Sequence, residues 1–339
     1  MGRLGIAGAL MLMLVLSLAA CGSSSTSSAT ASGSGDASVA GKSVYIINCT
    51  EEVPWCAAYQ KDLTAELEQA GIEVTSLDDN FEPDLQDQHM NQAIARHADA
   101  VILNAANSSA IVPAVERAEA AGVKVVNTDA PLSGEGADAP VLSVVADHVA
   151  MGRFAGEGLV EGLEKEGKKS GNVIVAAGAL ATTSAQERLA GFEGFMKKYP
   201  QYKIVAVDDT SWDQNKATQI ASQRLAQYRS EGGIQGAYGM NDLLALGVIK
   251  AAEQAGVPVG VEKGGLVVVG GNCLAPGIPA VKDGTLFTSG TQTPGPEAEA
   301  VAKHTIALLE GKSQPKTVTI KEYKITKANV KEFEQQCTF

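Results

Sequence analysis

Two features of the sequence predict an α/β protein built as two doubly wound parallel-sheet lobes. Short apolar, β-branched runs alternate with helix-period segments along the body of the chain, which is the β-α-β grammar of a parallel sheet covered on both faces. That pattern also runs through twice, with an internal echo. Ala118, Glu119, Ala121, Gly122, Val123 and Val125 recur as Ala252, Glu253, Ala255, Gly256, Val257 and Val259. Helix, glycine stop and β-branched strand is generic to such folds, so convergence also explains the echo. Two lobes of similar build, facing one another, make a cleft.

The elements follow in order. Residues 43–48 are an apolar run suited to a buried strand. Pro54 sits where the first turn of a helix accepts it. Cys56, Tyr59, Leu63, Leu67 and Ala70 then share one helix face, which Gly71 ends. A strand at 72–77, a polar-faced helix at 84–98, a strand at 100–104, a helix at 111–121 and a strand at 123–128 ending at Asp129 complete the first set. The second set has helices at 149–166, 184–199 and 213–229, with strands at 172–177 and 204–208. Next, Gly236-Ala237-Tyr238-Gly239 reads as a short strand that delivers Asn241 and Asp242 to its C-terminal edge, ahead of a helix over 243–256. In open α/β sheets that edge is where ligands bind. Asp242 is well placed to cap the helix, whereas Asn241 suits either a turn or a ligand. Strands at 266–269 and 285–289, a helix at 297–310, a strand at 318–325 and a short helix at 328–336 close the chain.

With 339 residues, 45% of them hydrophobic, the chain has material for more than one lobe. A net charge of −12 argues against nucleic acid as a partner. Arg3 is followed by an uncharged stretch that closes on Leu18-Ala19-Ala20-Cys21. This reads as a signal peptide over residues 1–20 with a bacterial lipobox, where cleavage before Cys21 frees its thiol for lipid. The Ser/Gly/Ala-rich segment 21–41 reads as a flexible tether. No later segment is long and apolar enough to span a bilayer. The expectation is a body anchored by lipid to the extracytoplasmic face of the cell membrane. Cys49, Cys56, Cys273 and Cys337 remain, an even number that points to disulfides in an oxidising compartment, with three connectivities open. No C-x-x-C pair or His-rich tract accompanies them, so no metal is expected.

Enzyme chemistry finds no foothold. Gly162 to Lys169 spells most of a phosphate-binding loop, but it lacks the final Ser/Thr and follows a helix rather than a strand. Gly156, Gly158 and Gly162 miss the dinucleotide spacing. No G-x-S-x-G or H-E-x-x-H occurs. His89, His97, His148 and His304 fall on helical segments and read as solvated. No catalytic residue and no cofactor is expected.

Binding chemistry does gather at strand ends. The only two tryptophans, Trp55 and Trp212, both fall just after strands, where aromatic faces can pack on the C–H faces of a sugar ring. Ser184-Ala185-Gln186-Glu187 reads as a capping box that places Arg188 in a first helical turn. A cation there opposes the helix dipole at a cost of roughly a few tenths of a kcal/mol. Arg188 is then either a surface partner of Glu187 or Glu193, or a fixed set of donors for hydroxyls or a carboxylate. Asp129, Asn272 and Gln292 also follow apolar runs. Singly each suits a turn; together they supply what a polyhydroxylated ligand needs.

Taken in order, these pieces resemble bacterial sugar-binding proteins of the ribose-binding class, the extracytoplasmic solute receptors of ABC importers. The resemblance runs from residue 43 to about 325. It rests on the lipobox, the aromatic after Pro54, Asp129 after Val125-Val126-Asn127-Thr128, the segment 183–188 with Gly191-Phe192, Ser211-Trp212-Asp213, Met240-Asn241-Asp242, and Val268-Val269-Gly270 ahead of Asn272 and Gln292. It implies a type I periplasmic-binding-protein fold, with hinge crossovers near Ala146, Gln292 and Lys321. The lobes would comprise residues 42–146 plus 293–321 and residues 147–292 plus 322–339. By motif position, Trp55 and Trp212 resemble the stacking aromatics, and Asp129, Arg188, Asn241 and Gln292 the hydroxyl-binding set. The implied partners are a sugar or polyol and an ABC permease, with the receptor a monomer. The chain departs from the ribose binders at Val53 (Asn there), Cys56 (an aromatic), Ala130 (Arg) and Asn272 (Asp). That pocket is more neutral at both ends, which argues against ribose and for another neutral sugar or a linear polyol. The alternative is a sensory receptor presenting a small signal molecule to a membrane kinase or chemoreceptor.

Overall fold

The computed structural model describes residues 38–261 and 264–339; the segment 1–20 and Cys21 lie outside them. Along the chain, β1 (Ser43–Asn48) leads through α1 (Pro54–Gln69), β2 (Glu73–Asp78), α2 (Pro83–Ala95), β3 (Ala100–Asn104), α3 (Val112–Ala120) and β4 (Lys124–Asp129) to β5 (Leu142–Ala146). A second run holds α4 (His148–Lys165), β6 (Gly171–Ala177), α5 (Thr183–Met196), β7 (Tyr202–Asp209), α6 (Gln214–Gln227), β8 (Gly236–Gly239), α7 (Asp242–Gln254), β9 (Val267–Val269), α8 (Gly277–Asp283) and β10 (Thr288–Gly290). Then come α9 (Pro294–Leu309), β11 (Thr317–Ile320), β12 (Lys324–Thr326) and α10 (Val330–Phe333).

The strands form two six-stranded sheets, ordered β11-β5-β4-β3-β1-β2 and β12-β10-β9-β8-β6-β7. Among the described residues every strand pairing is parallel except β12 against β10. Leaving out β11 and β12, the second order repeats the first, so the doubling read from the sequence is real at the level of topology. Strand side chains alternate between two cores in the first lobe. Val44 and Ile46 pack with Tyr59, Leu63 and Leu67 of α1, while Tyr45 and Ile47 pack with Met90 of α2 and Val115 of α3. Burial on both faces is why these strands read as unbroken apolar runs. The chain passes between the sheets after β5, after β10 and after β11.

In the second lobe α4 lies unusually close to α5. A Cβ on Gly152 would overlap the Arg188 carbonyl oxygen, and one on Gly191 would overlap the Val149 carbonyl oxygen. The small residues let the two backbones touch, which brings the start of α4 against the middle of α5. The glycines of α4 that miss a nucleotide motif are packing residues too: a Cβ on Gly156, Gly158 or Gly162 would press on Phe195, Thr288 or Val267.

Several expectations need correction. β5 and α8 were not anticipated: both are short, and the first emerges from a Gly/Pro/Asp-rich stretch where periodicity carries no signal. The single strand expected at 318–325 is two strands in different sheets, with buried Glu322 in the turn between them. The echo holds for α3 and α7, which occupy equivalent places, but Val259 makes only an isolated bridge to Leu266 and the main strand comes later. The terminal helix is confined to Val330–Phe333. The body also takes in part of the expected tether, since Val39 is buried and the Gly41 N–H donates to the Gly71 carbonyl at 2.8 Å. Asp242 does not cap α7; Asn241 does, its side chain accepting from the Leu244 N–H at 2.8 Å. Buried Asp242 instead accepts from the N–H groups of Gly271 and Leu274, each at 3.0 Å, and from the Ser289 hydroxyl at 2.7 Å. Burial pushes this carboxyl up to about 7, and it ties down the turn that carries Asn272.

Among the three connectivities, the structure pairs Cys49 with Cys56 and Cys273 with Cys337. The first closes a loop of 7 residues between β1 and α1, the second a loop of 64 that fastens the tail to the turn after β9. Loop-closure entropy gives about 2 kcal/mol for the short loop and about 4 kcal/mol for the long one. Urea unfolding should therefore show C273S/C337S to be the more destabilised of the two double variants. The reverse order would mean that native-state strain, not chain entropy, sets the contribution.

Candidate functional site

The C-terminal ends of strands in both sheets border a cleft of about 620 Å³, its open mouth included. All seven binding residues expected from the sequence line it. Trp55 is the second residue of α1, and Asp129 the last of β4. Arg188 projects from α5, Trp212 from the turn before α6, and Asn241 from the cap of α7. Asn272 follows β9, and Gln292 sits on the passage from β10 to α9.

The backbone at this site is held in an uncommon conformation. Asp129 (φ 65°), Trp212 (φ 61°), Asn272 (φ 72°) and Gln292 (φ 127°) are all left-handed, as is Phe81 (φ 60°), a further lining residue. Such conformations cost roughly 1–3 kcal/mol each in non-glycine residues and persist where the surroundings over-determine them. Phe81 is set by Asp79, which accepts from the Phe81 N–H at 2.8 Å and from the Gln86 side-chain amide. Burial raises the Asp79 carboxyl to about 7.

Arg188 is the hub. Thr182, not Ser184, caps α5 by accepting from the Ala185 N–H, so Arg188 lies in the second turn and the dipole penalty expected for a first-turn cation does not apply. The side chain is 2% exposed. Its Nε donates to His148 Nδ1 at 3.1 Å, Nη1 to the Met240 carbonyl at 2.6 Å and to Asn272 Oδ1 at 2.5 Å, and Nη2 to Gln292 Oε1 at 3.0 Å. Neither Glu187 nor Glu193 is its partner. Four of its five N–H groups are used, and the second Nη2 hydrogen is left over.

His148 overturns its expected solvent exposure, being 0% exposed at the start of α4. Arg188 can only donate, so His148 Nδ1 must accept and the ring proton sits on Nε2. Nε2 faces Asp129 Oδ1 at 3.2 Å and its carbonyl at 3.1 Å. Gln292 Nε2 closes the circuit by donating to the same Asp129 oxygen at 2.9 Å. Asp129, His148, Arg188 and Gln292 thus form a ring of hydrogen bonds linking the first sheet to the second. His148 opens α4 directly after Asp147, whose side chain caps the helix through the Ala150 N–H at 2.9 Å, and nothing local to it in the sequence marks its burial. Burial pushes the Asp129 carboxyl up, but His148 and Arg188 outweigh it and hold the group below the usual range. Burial lowers Arg188. Beside the ring, burial and then Asp129 drive buried Glu297 well above the usual carboxyl value; it accepts from Thr128 Oγ1 at 3.1 Å and Gln292 Nε2 at 3.2 Å.

The aromatics are seated as firmly. Trp55 stacks on Tyr59 with centroids 5.0 Å apart, and its Nε1 donates to the Gln292 carbonyl at 3.1 Å. Trp212 lies across Gly178, where any Cβ would enter the indole ring, and the Arg188 guanidinium sits 5.3 Å from its ring centre. Sequence reasoning missed Phe81, Thr183, Cys49 and Cys56 as lining residues. Thr183 opens α5, and its buried hydroxyl has no partner.

A family model for the periplasmic binding protein domain matches residues 44–313. Among curated proteins, the D-ribose/D-allose-binding protein of Pseudomonas aeruginosa is 29% identical over 259 residues, 76% of each chain. The ribose import binding protein of Bacillus subtilis is 27% identical over 266 residues, 78% of this chain and 81% of the relative. Among solved structures, the Caulobacter myo-inositol binding protein superposes with a TM-score of 0.78 at 23% identity, covering 86% of this chain and 95% of the other. With parallel sheets wound alike, a cleft at their strand ends and a family match across most of its length, this chain belongs to the periplasmic binding protein family.

Proposed function

We propose that the chain is a solute receptor that captures a neutral sugar or polyol in the cleft and delivers it to an ABC permease. The observation that carries this reading is the convergence of both tryptophans and five polar residues, far apart in sequence, on one cleft. Trp55 and Trp212 offer flat faces for a ring. Asn241, Asn272, Thr183, the unused oxygen of Asp129 and the spare N–H of Arg188 offer hydroxyl partners. The charges argue for a neutral ligand: Asp129 and Arg188 compensate each other through His148 and Gln292, so neither a free cation nor a free anion faces the cleft. The relatives named for ribose, allose and myo-inositol support the same ligand class.

In this reading the lobes comprise residues 42–146 plus 293–321 and 147–292 plus 322–339. They hinge at the three passages near Ala146, Gln292 and Lys321 and close on the ligand as a monomer. The chain performs no chemistry on what it binds. Two of the passages are linked directly: the Thr291 N–H donates to the Tyr323 carbonyl at 2.9 Å, and the Thr291 hydroxyl to Glu322 at 2.5 Å. A lipid on Cys21 would hold the receptor at the membrane.

A ligand that binds only the folded state raises the melting temperature, by about 2.7 kcal/mol of stability at a hundredfold excess over Kd. A thermal-shift screen of the chain with Cys21 replaced, against pentoses, hexoses, alditols, inositols and amino acids, should return a sugar or polyol whose effect is lost in Trp212→Ala. Silence across all sugars and polyols contradicts the proposal. Separately, Cys21→Ala should move the protein from the membrane to the soluble fraction of its host. Unchanged membrane retention would remove the lipid anchor from the account.

A further inference from the structure

The cleft is polar on one wall and apolar on the other. The second-lobe wall presents Thr182, Thr183, Ser184, Arg188, Asn241 and Asn272 behind Trp212. The first-lobe wall presents Val53, Phe81, Ala130, Pro131 and the disulfide of Cys49 and Cys56 beside Trp55. A disulfide has no S–H to donate, and its sulfurs accept hydrogen bonds only weakly.

The polar groups on the first-lobe wall are few and partly committed. Ser108 Oγ shares a hydrogen bond with Ser133 Oγ at 2.7 Å. Asn104 turns its amide nitrogen to Asn48 Oδ1 at 3.3 Å. Asp129 spends Oδ1 on His148 and Gln292, which leaves its Oδ2 and Asn104 Oδ1 as the open acceptors of this wall, apart from the disulfide, Val53 and Ala130. Across the cleft the opposite holds: the buried Thr183 hydroxyl has no partner, and Asn241 uses only its oxygen, in the cap.

A buried hydroxyl with no partner costs free energy, so a fully hydroxylated sugar would lose on the first-lobe side what it gains on the other. We propose that the ligand carries a deoxygenated edge, a C–H or methyl group where the parent sugar has a hydroxyl, and that this edge seats against the Cys49–Cys56 disulfide, Val53 and Ala130. This deepens the sugar-or-polyol reading and rests on it.

Calorimetric titration of the chain with matched pairs tests the idea: L-fucose against L-galactose, L-rhamnose against L-mannose, and 2-deoxy-D-ribose against D-ribose. At least one deoxy member should bind more tightly than its parent by on the order of ten- to a hundredfold. Val53→Asn should shrink that preference by introducing an amide on the apolar wall. It should fold, because Val53 is the cap position of α1, carries no side-chain cap bond now, and suits asparagine. Parents that bind as well as or better than their deoxy partners overturn the deoxy-edge proposal and leave sugar binding standing. No binding by any sugar or polyol, in these pairs or in the wider screen, overturns the reading beneath it.

Discussion

A guanidinium that is almost wholly buried is tolerated only when its donors are met, and meeting the donors of Arg188 organises this molecule. The acceptors come from four separate segments: the start of α4, the end of β8, the turn after β9 and the passage after β10. Two of these are supported from behind. Asp242 fastens the turn bearing Asn272, and Gly152 and Gly191 let α4 approach α5 closely enough for His148 to reach the guanidinium. His148 and Gln292 then hand the network on to Asp129, the one charged group that the first sheet contributes. The same set of bonds therefore builds the polar wall of the cleft and crosses between the sheets. A hinge placed there would feel directly whatever replaces or reinforces those bonds.

The strain sits in the same place. Five lining residues other than glycine have left-handed backbones, among them a tryptophan and a phenylalanine, for which that conformation is a genuine outlier. Three of them are held by an evident local device. Asp79 holds the loop of Phe81, Gly178 makes room for Trp212, and the Cys273–Cys337 disulfide pins the residue next to Asn272. Backbone conformation here serves to aim side chains, with the cost met by packing elsewhere.

Much of this was legible in the sequence. Polar residues at 129, 241 and 272, each after an apolar run, mark sheet edges because side chains at those positions leave the sheet where the covering helices begin; Gln292 follows the short polar strand Thr288–Gly290. The helix of Arg188 was found, but its cap was misplaced by two residues, since Thr182 and Ser184 are equally good caps on local chemistry alone. His148 was out of reach for a different reason. Its burial depends on two glycines that bring a distant helix against it, a tertiary fact with no local signature. The disulfide pairing and the two-strand division of residues 317–326 are likewise set by which segments meet in space, not by their own residues.

The central claim is that the cleft between the two sheets is where ligand binds. The chain contains only two tryptophans, and both line that cleft, so their fluorescence reports on it alone. Titrating the ligand into the protein and into its Trp55→Phe and Trp212→Phe variants is the most direct test. The account predicts a saturable change in emission from each remaining tryptophan, with midpoints that track the calorimetric affinity of the same protein. Measurable heat of binding with emission unmoved in all three proteins would contradict it and place the ligand elsewhere.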